Sequence, residues 1–138
     1  MDIRQFLFGG TGRQMVYKSL DASALRSRVI AQNLANVDTP GYQRKEVSFE
    51  EKLRKALEAK VAADLTNPTH IPTGKGVDLS KVQPEVFEPK DQTLPGEINN
   101  VDVDMEAAKM AENQILYNFG IRFAGFDKFN AAITGRPT

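Results

Sequence analysis

Residues 33–49 read NLANVDTPGYQRKEVSF, and the Pro40-Gly41 pair inside this stretch ends a helix and redirects the chain. The residue before a proline is driven out of the helical region by steric clash. Proline followed by glycine suits the central positions of a type II turn, where glycine tolerates a positive φ. The stretch therefore predicts a helix before the turn and an extended segment after it, with a short strand from Tyr42 to Val47.

The helix before the turn is predicted to run from about Gly12 to about Val37. Its apolar residues recur at spacings of three and four, and the small residues Ser23 and Ser27 complete the pattern. The apolar members of this face are Val16, Leu20, Ile30, Leu34 and Val37. Small residues within an apolar stripe permit the close approach of another helix, so this face is predicted to be an interface.

A second long helix is predicted from Val101 to Gly135, where Gly135 and Pro137 supply the stop. Its start carries acidic residues, which favour the positive end of a helix dipole. One side of it is apolar at helical spacing, through Ala108, Ala111, Ile115, Phe119, Phe126, Phe129 and Ile133. This is more apolar surface than one small domain needs to bury, so these residues are also predicted to form an assembly interface.

The middle of the chain has a different texture, because residues 67–96 hold five of the seven prolines. Long helix is excluded there, one or two edge strands are predicted within residues 81–90, and a shorter helix is predicted after Ser48. The predicted fold is mainly α, with long N- and C-terminal helices packed as a coiled-coil-like layer, a short extended and loop-rich middle segment and one additional short helix. The expected division is a terminal helical core domain, 1–40 with 98–138, and a middle segment, 41–97.

Composition and charge exclude several functional classes. The chain has 138 residues, 41% of them hydrophobic, and a formal net charge of +0, which offers no general attraction to nucleic acid or anionic membrane. It has no cysteine, and it shows neither the apolar run of a cleavable signal peptide nor the roughly 18 apolar residues of a membrane span. We expect no nucleic-acid partner and no direct membrane insertion.

The charges are unevenly distributed along this neutral chain. Residues 1–45 carry seven Lys or Arg against three acids, a formal charge of +4, and residues 85–112 carry eight acids against two lysines, a formal charge of −6. Opposite charges at the two ends favour an orientation of the terminal helices against each other, or of one subunit against the next. Ordinary surface charge remains the alternative explanation.

No residue pattern predicts catalysis, cofactor binding or a metal site. His70 is the only histidine, and no cysteine or obvious acid partner accompanies it. The glycines of residues 9–12 lack the Lys-Ser/Thr pair of a phosphate-binding loop. Asp102, Asp104 and Glu106 lack the spacing of a calcium loop, and their place at a helix start explains them. We therefore predict no enzymatic activity and no cofactor.

Residues 31–51, AQNLANVDTPGYQRKEVSFEE, resemble the signature of bacterial flagellar rod and hook proteins, in which Asn-Leu/Ile-Ala-Asn is followed by Thr-Pro-Gly-Tyr. The resemblance is supported by LDAS at 20–23, RVIAQN at 28–33, Thr-His-Ile at 69–71 and NNVDVDMEAAKMAENQILY at 99–117. The residues of the turn motif itself are Asn33, Asn36, Thr39, Pro40, Gly41 and Tyr42. The match covers both ends of the chain.

This resemblance implies a structural subunit of the proximal rod in the bacterial flagellar basal body. Such a subunit would polymerise helically with copies of itself around the central export channel and transmit torque. It would be exported by the flagellar type III apparatus without a cleavable signal peptide and would assemble in the periplasm. Its implied neighbours are FliE and the MS ring at the base, and FlgC and other rod proteins beyond.

Two other hypotheses stay open from the residues alone. An enzyme would need His70 in a cleft with a perturbed acid, and full tolerance of His70→Ala would exclude it. A monomeric helical adaptor without enzymatic activity is the stronger alternative. The hydrodynamic size and helicity of the isolated chain would separate this adaptor from a polymer subunit.

Overall fold

The structure, a computed structural model, describes residues 10–64, 79–89 and 99–134. Its elements in chain order are helix α1 (Gly10–Ala35), strand β1 (Glu46–Ser48), helix α2 (Glu50–Asp64), a 3-10 turn (Leu79–Lys81), strand β2 (Glu85–Phe87) and helix α3 (Val103–Thr134). The predicted class is confirmed, because two long terminal helices pack together and the middle holds a shorter helix and a two-stranded sheet.

The interface between α1 and α3 is built largely from small and polar side chains. Ser23 and Asn33 of α1 and Glu106 and Asn113 of α3 are all buried. The side-chain amide of Asn113 donates to the carbonyl oxygen of Ser23 at 2.9 Å and to the hydroxyl oxygen of Ser27 at 2.8 Å. Directional bonds of this kind fix how far one helix slides along the other, so they set the register of the pair.

The apolar core lies against another part of α1. Ala22 packs there with Phe49, Leu79 and Val82, which come from the start of α2 and from the 3-10 turn. Phe49 is 2% exposed and Leu79 is 1% exposed. Half-buried side chains from α1 and α2 surround this cluster: Met15, Leu53 and Ala56. The middle segment is therefore held on α1 by hydrophobic contacts, whereas the contact between α3 and α1 also includes buried hydrogen bonds.

The two strands form an antiparallel pair in which Glu46 lies opposite Phe87 and Val47 opposite Val86. The strand predicted from Tyr42 to Val47 was wrong in its bounds, since β1 begins only at Glu46. The reason is that asparagine side chains, rather than a neighbouring strand, bind the backbone just before it. The N–H and carbonyl of Lys45 are bonded to the Asn33 side chain, so the chain is extended there without belonging to a sheet.

Two glycines lie within α3, and their surroundings differ. A Cβ atom added to Gly120 would lie 2.8 Å from a terminal methyl carbon of Leu20, closer than real Cβ contacts allow. A Cβ atom added to Gly125 would meet nothing within 4 Å. Gly120 therefore marks a close approach of α1 and α3, whereas packing within the described chain does not require glycine at position 125.

This difference predicts different effects for the same substitution at the two positions. Gly125→Ala should raise the free energy of unfolding by about 1 kcal/mol, because alanine is the better helix former and has space. Gly120→Ala should give no such gain, since the Leu20 side chain must move to admit the new methyl group. Denaturant unfolding of the two purified variants beside the original chain measures both effects. Equal gains would show that the helices do not meet tightly at Gly120.

Candidate functional site

The turn after α1 has the geometry that its sequence predicts. The helix ends at Ala35, and the next residues are held by bonds of shorter range, such as Val37 N–H to Leu34 O at 3.4 Å. Gly41 has a φ of 73°, and the N–H of Tyr42 donates to the carbonyl of Thr39 at 3.3 Å. A bond across four residues with a positive φ at the third is the pattern of a type II turn.

The side chain of Asn33 lies at the centre of this region and is 0% exposed. Its Nδ2 donates to the carbonyl of Lys45 and to Oε2 of Glu106, both at 2.9 Å. Its Oδ1 accepts from the N–H of Lys45 at 2.9 Å and from the hydroxyl of Tyr42 at 3.1 Å. All four hydrogen-bonding positions of the amide are used. One side chain thus ties the end of α1 to the chain after the turn and to α3.

Asn99 closes the same region from the other end of the chain. Its Nδ2 lies 2.8 Å from the carbonyl oxygens of Asn36 and Val37 and 2.9 Å from that of Thr39. Backbone carbonyls in a turn have no helical partners, so they need donors from elsewhere. The segment before α3 supplies one, and the turn after α1 is bound by a side chain about sixty residues away.

The acids at the start of α3 have distinct roles. Oδ1 of Asp102 accepts from the N–H groups of Asp104 at 2.9 Å and Met105 at 3.1 Å, which is the bonding of a helix N-cap. The predicted interpretation of Asp102 as a helix-start acid is confirmed. Glu106 is 1% exposed and binds Asn33, a role that its place in the first turn did not predict.

Lys109 extends the network from Glu106 to β1. Its ammonium group lies 3.1 Å from Oε1 of Glu106 and 2.8 Å from Oε1 of Glu46, which in turn lies 3.4 Å from Arg44. Burial lowers the pKa of Lys109, but the hydrogen bonds and charges of Glu46 and Glu106 outweigh it, and the pKa is raised overall. The buried carboxylate of Glu106 is thereby paired with a cation. The hydrogen bonds of Asn33, Glu106 and Lys109, together with the turn and residues 99–109, are called the helix joint below.

Tyr42 belongs to the joint through its hydroxyl group. Partial burial raises the pKa of the phenol, and the nearby carboxylates of Glu88 and Glu106 raise it further. The hydroxyl therefore stays protonated well above neutral pH and keeps donating to Asn33. The motif residues lie close together. Tyr42 binds Asn33 through its hydroxyl group and Thr39 through its N–H, and the carbonyl of Thr39 also accepts from Asn99.

The predicted assembly residues of α3 do not face α1. All seven are exposed, and the five large ones are more than half exposed. The exposed fractions are 70% for Ile115, 71% for Phe119, 55% for Phe126, 62% for Phe129 and 67% for Ile133. With Ala108 and Ala111 they form an apolar stripe along α3, called the α3 stripe below. The face that meets α1 is a different one, which includes Glu106, Asn113 and Gly120.

The predicted assembly residues of α1 are placed differently from those of α3. Ile30 is buried within the fold, at 3% exposed, and the other four are half-buried: Val16, Leu20, Leu34 and Val37. Leu20 contacts the Gly120 region of α3. The five residues thus contribute to packing inside the chain, and four of them also present surface to the outside.

Sequence reasoning missed several polar residues of the joint and of the helix interface. These are Lys45, Asn99, Asn100, Lys109 and Asn113. A signal was present in α3, where Glu106, Asn113 and Gly120 recur every seven residues, the repeat of a coiled-coil seam. A pattern of apolar residues does not include this repeat, because none of its three members has an apolar side chain.

Other kinds of site have little support in the described residues. No three His, Cys, Asp or Glu side chains in residues 10–64, 79–89 and 99–134 lie close enough to hold a metal ion. In the same part of the chain, every helix is too short or too polar to cross a membrane. His70, the one candidate for acid-base chemistry, lies outside the described residues.

Comparison with known proteins agrees with the resemblance carried by the turn motif. Residues 20–43 match the family model of flagella basal body rod proteins. The flagellar basal body rod protein FlgB of Borreliella burgdorferi is 34% identical over 106 residues, covering 74% of this chain and 78% of the relative. The FlgB of Salmonella typhimurium is 33% identical and covers 78% of this chain and 80% of the relative.

The similarity extends across almost the whole chain in another relative. The FlgB of Bacillus subtilis is 33% identical over 133 residues, which are 94% of this chain and 97% of the relative. That alignment spans both long helices and the joint between them. With a mainly helical fold and the rod-protein signature folded into the turn of the joint, the chain belongs to the FlgB family of flagellar basal body rod proteins.

Proposed function

We propose that the chain is a structural, non-enzymatic subunit of the proximal rod, which polymerises with copies of itself around the export channel and transmits torque. The α3 stripe is the observation that carries this proposal. A monomeric protein rarely exposes a continuous apolar patch of more than a few hundred square ångströms, and a larger one marks a contact with another molecule. The stripe has five large apolar side chains that are each more than half exposed.

The energetics favour a partner for the stripe over a monomeric adaptor. Burying a large apolar side chain contributes about 1.5–3 kcal/mol. The exposed parts of these side chains therefore represent a substantial free energy that contact with another molecule would add. In a polymer, a contact between different faces of identical subunits repeats without closing and recovers this energy in every copy.

The helix joint has an architectural role in this proposal. It holds α1 and α3 side by side, and the turn at Gly41 sends the middle segment away from the end of α1. The residues of the rod motif set the direction of the chain, so we assign them a structural role and no catalytic one. The terminal core domain, residues 1–40 with 98–138, then forms the core of the assembly, and residues 41–97 face neighbouring subunits.

The finer assignments follow from the family. We infer that the subunit passes through the flagellar type III export apparatus without a cleavable signal peptide and assembles in the periplasm. Its inferred neighbours are FliE and the MS ring at the base of the rod, and FlgC and other rod proteins above it. The support for these assignments is the similarity to FlgB relatives, whose names place them in the basal body rod.

The stripe provides a direct test of self-assembly. Ile115 is 70% exposed, so Ile115→Asp should change the stability of the isolated chain by no more than about 0.5 kcal/mol. In the assembled rod the same change places a charge in an apolar contact, and we expect it to abolish rod formation. Rods counted by electron microscopy, in cells whose own subunit gene is replaced, measure assembly, and denaturant unfolding measures stability.

The matched control is Gln114→Asp, which adds the same charge at the neighbouring exposed position of α3. It should assemble as the original chain does. If Ile115→Asp builds normal rods, the α3 stripe is not an assembly surface. If both variants fail, charge on α3 rather than the stripe is responsible.

The joint is tested by replacing one atom group in its centre. Asn33→Asp keeps the shape of the side chain but removes the donor to Glu106 and to the Lys45 carbonyl, and it places two carboxylates together in a buried site. We expect a loss of about 3–5 kcal/mol in the free energy of unfolding, the usual cost of an uncompensated buried charge. Chemical denaturation followed by circular dichroism measures it.

Gln32→Glu is the corresponding control, because it makes the same amide-to-carboxylate change one residue earlier at an exposed position. Its effect should stay within about 0.5 kcal/mol. Similar losses in the two variants would mean that the buried bonds of Asn33 do not hold the joint together.

A further inference from the structure

A cleft of about 420 Å³ opens between α1, the β1–α2 segment and the first half of α3. Val29, Ile30, Val47 and Leu116 give it an apolar lining, and Leu116 is 52% exposed. Proteins bind small ligands in clefts of about 300–1,000 Å³. The cleft therefore has room for side chains from another molecule.

The polar groups of the cleft are mostly paired with one another, and the exceptions show what an occupant must supply. Four carboxylates line the cleft: Glu46, Glu50, Glu106 and Glu112. Glu50 pairs with Arg26 at 2.7 Å, and Glu46 and Glu106 share Lys109. Within the described part of the chain Glu112 has no ion pair, so an occupant that brings a cation to this position would complete the pairing.

Asn113 supplies a second, independent observation. Its side chain lines the cleft and is 1% exposed, and its Oδ1 has no hydrogen-bond donor among the described residues. A buried acceptor without a donor is costly to the isolated chain. An occupant that brings a hydrogen-bond donor as well as a cation therefore fits the cleft better than a purely apolar one.

The second half of α3 has the matching chemistry. Residues 103–118 carry three acids and one lysine, a formal charge of −2, whereas residues 119–134 carry Arg122 and Lys128 against one acid, a formal charge of +1. Arg122 is exposed, and it has no ion pair in the described residues. The same half presents all three exposed aromatic side chains of the α3 stripe, including Phe119 and Phe129.

We propose that the cleft receives side chains from residues 119–134 of α3 of a second copy of the chain, with Arg122 of that copy against Glu112. Arg122 lies ten residues beyond Glu112 on the same helix, about 15 Å along its axis. A parallel copy displaced by this amount brings the two charges level. Because the contact joins different surfaces of identical chains, it repeats from copy to copy without closing. This contact rests on the proposed function, and it specifies which surfaces meet.

A charge exchange between the two positions tests the contact. Glu112→Arg and Arg122→Glu should each weaken self-association of the purified chain, measured by sedimentation, by about fivefold or more, as expected for loss of an ion pair and gain of a repulsion. The double variant restores an opposite pair, and its association should return to within about twofold of the original. Since both positions are exposed, circular dichroism should show the same helicity in all four proteins.

The other outcomes each overturn the contact. A double variant no stronger in association than the single variants means that the two residues do not meet. Loss of assembly with Glu112→Arg but not with Arg122→Glu means that a different chain occupies the cleft. The proposed function is judged separately by Ile115→Asp. If that variant prevents rod formation while the charge exchange has no effect, the chain is a rod subunit whose copies meet elsewhere.

Discussion

The buried amide of Asn33 is the interaction on which the shape of the chain depends. It binds the backbone on both sides of Lys45, the hydroxyl of Tyr42 and the carboxylate of Glu106, and all of its bonds are 2.9–3.1 Å long. An apolar side chain at this position would fill the space but would leave Oε2 of the buried Glu106 carboxylate without the donor that Asn33 supplies. The end of α1, the direction of the turn and the position of α3 are thus fixed by one group.

Helix α1 serves two partners by different physical means. Its contact with Phe49, Leu79 and Val82 is hydrophobic, which gives stability with little demand on exact position. Its contact with α3 uses hydrogen bonds and a close approach at Gly120, which demand one register. Polar groups and a glycine occupy much of the inner face of α3, and the large apolar residues of the α3 stripe lie on the outer face, where they are available to other molecules.

The sequence predicted the parts that local chemistry determines. The long helices follow from apolar spacing, and the turn follows from Pro40-Gly41, whose positive φ is present in the structure. The partners of Asn33 were beyond reach, because a buried Asn–Glu bond across 73 residues has no local pattern. The strand after the turn was misplaced for the same reason: Asn33 and Asn100 bind the backbone of residues 44 and 45, and no propensity scale registers such partners.

The long sequence separations within the joint have a consequence for the order of events during synthesis. Asn99 binds the backbone just after α1 across 63 residues, and Asn113 reaches Ser23 across 90. As the ribosome releases the chain from its N-terminus, the turn after α1 lacks the Asn99 donor and the face of α1 that meets α3 stays uncovered until most of the protein has been made. Closing such distant contacts is slow compared with forming a helix. The helix joint is therefore the last part of the structure to form. A nascent chain that lacks its final third cannot form it, because Asn99 and Glu106 have not yet been made.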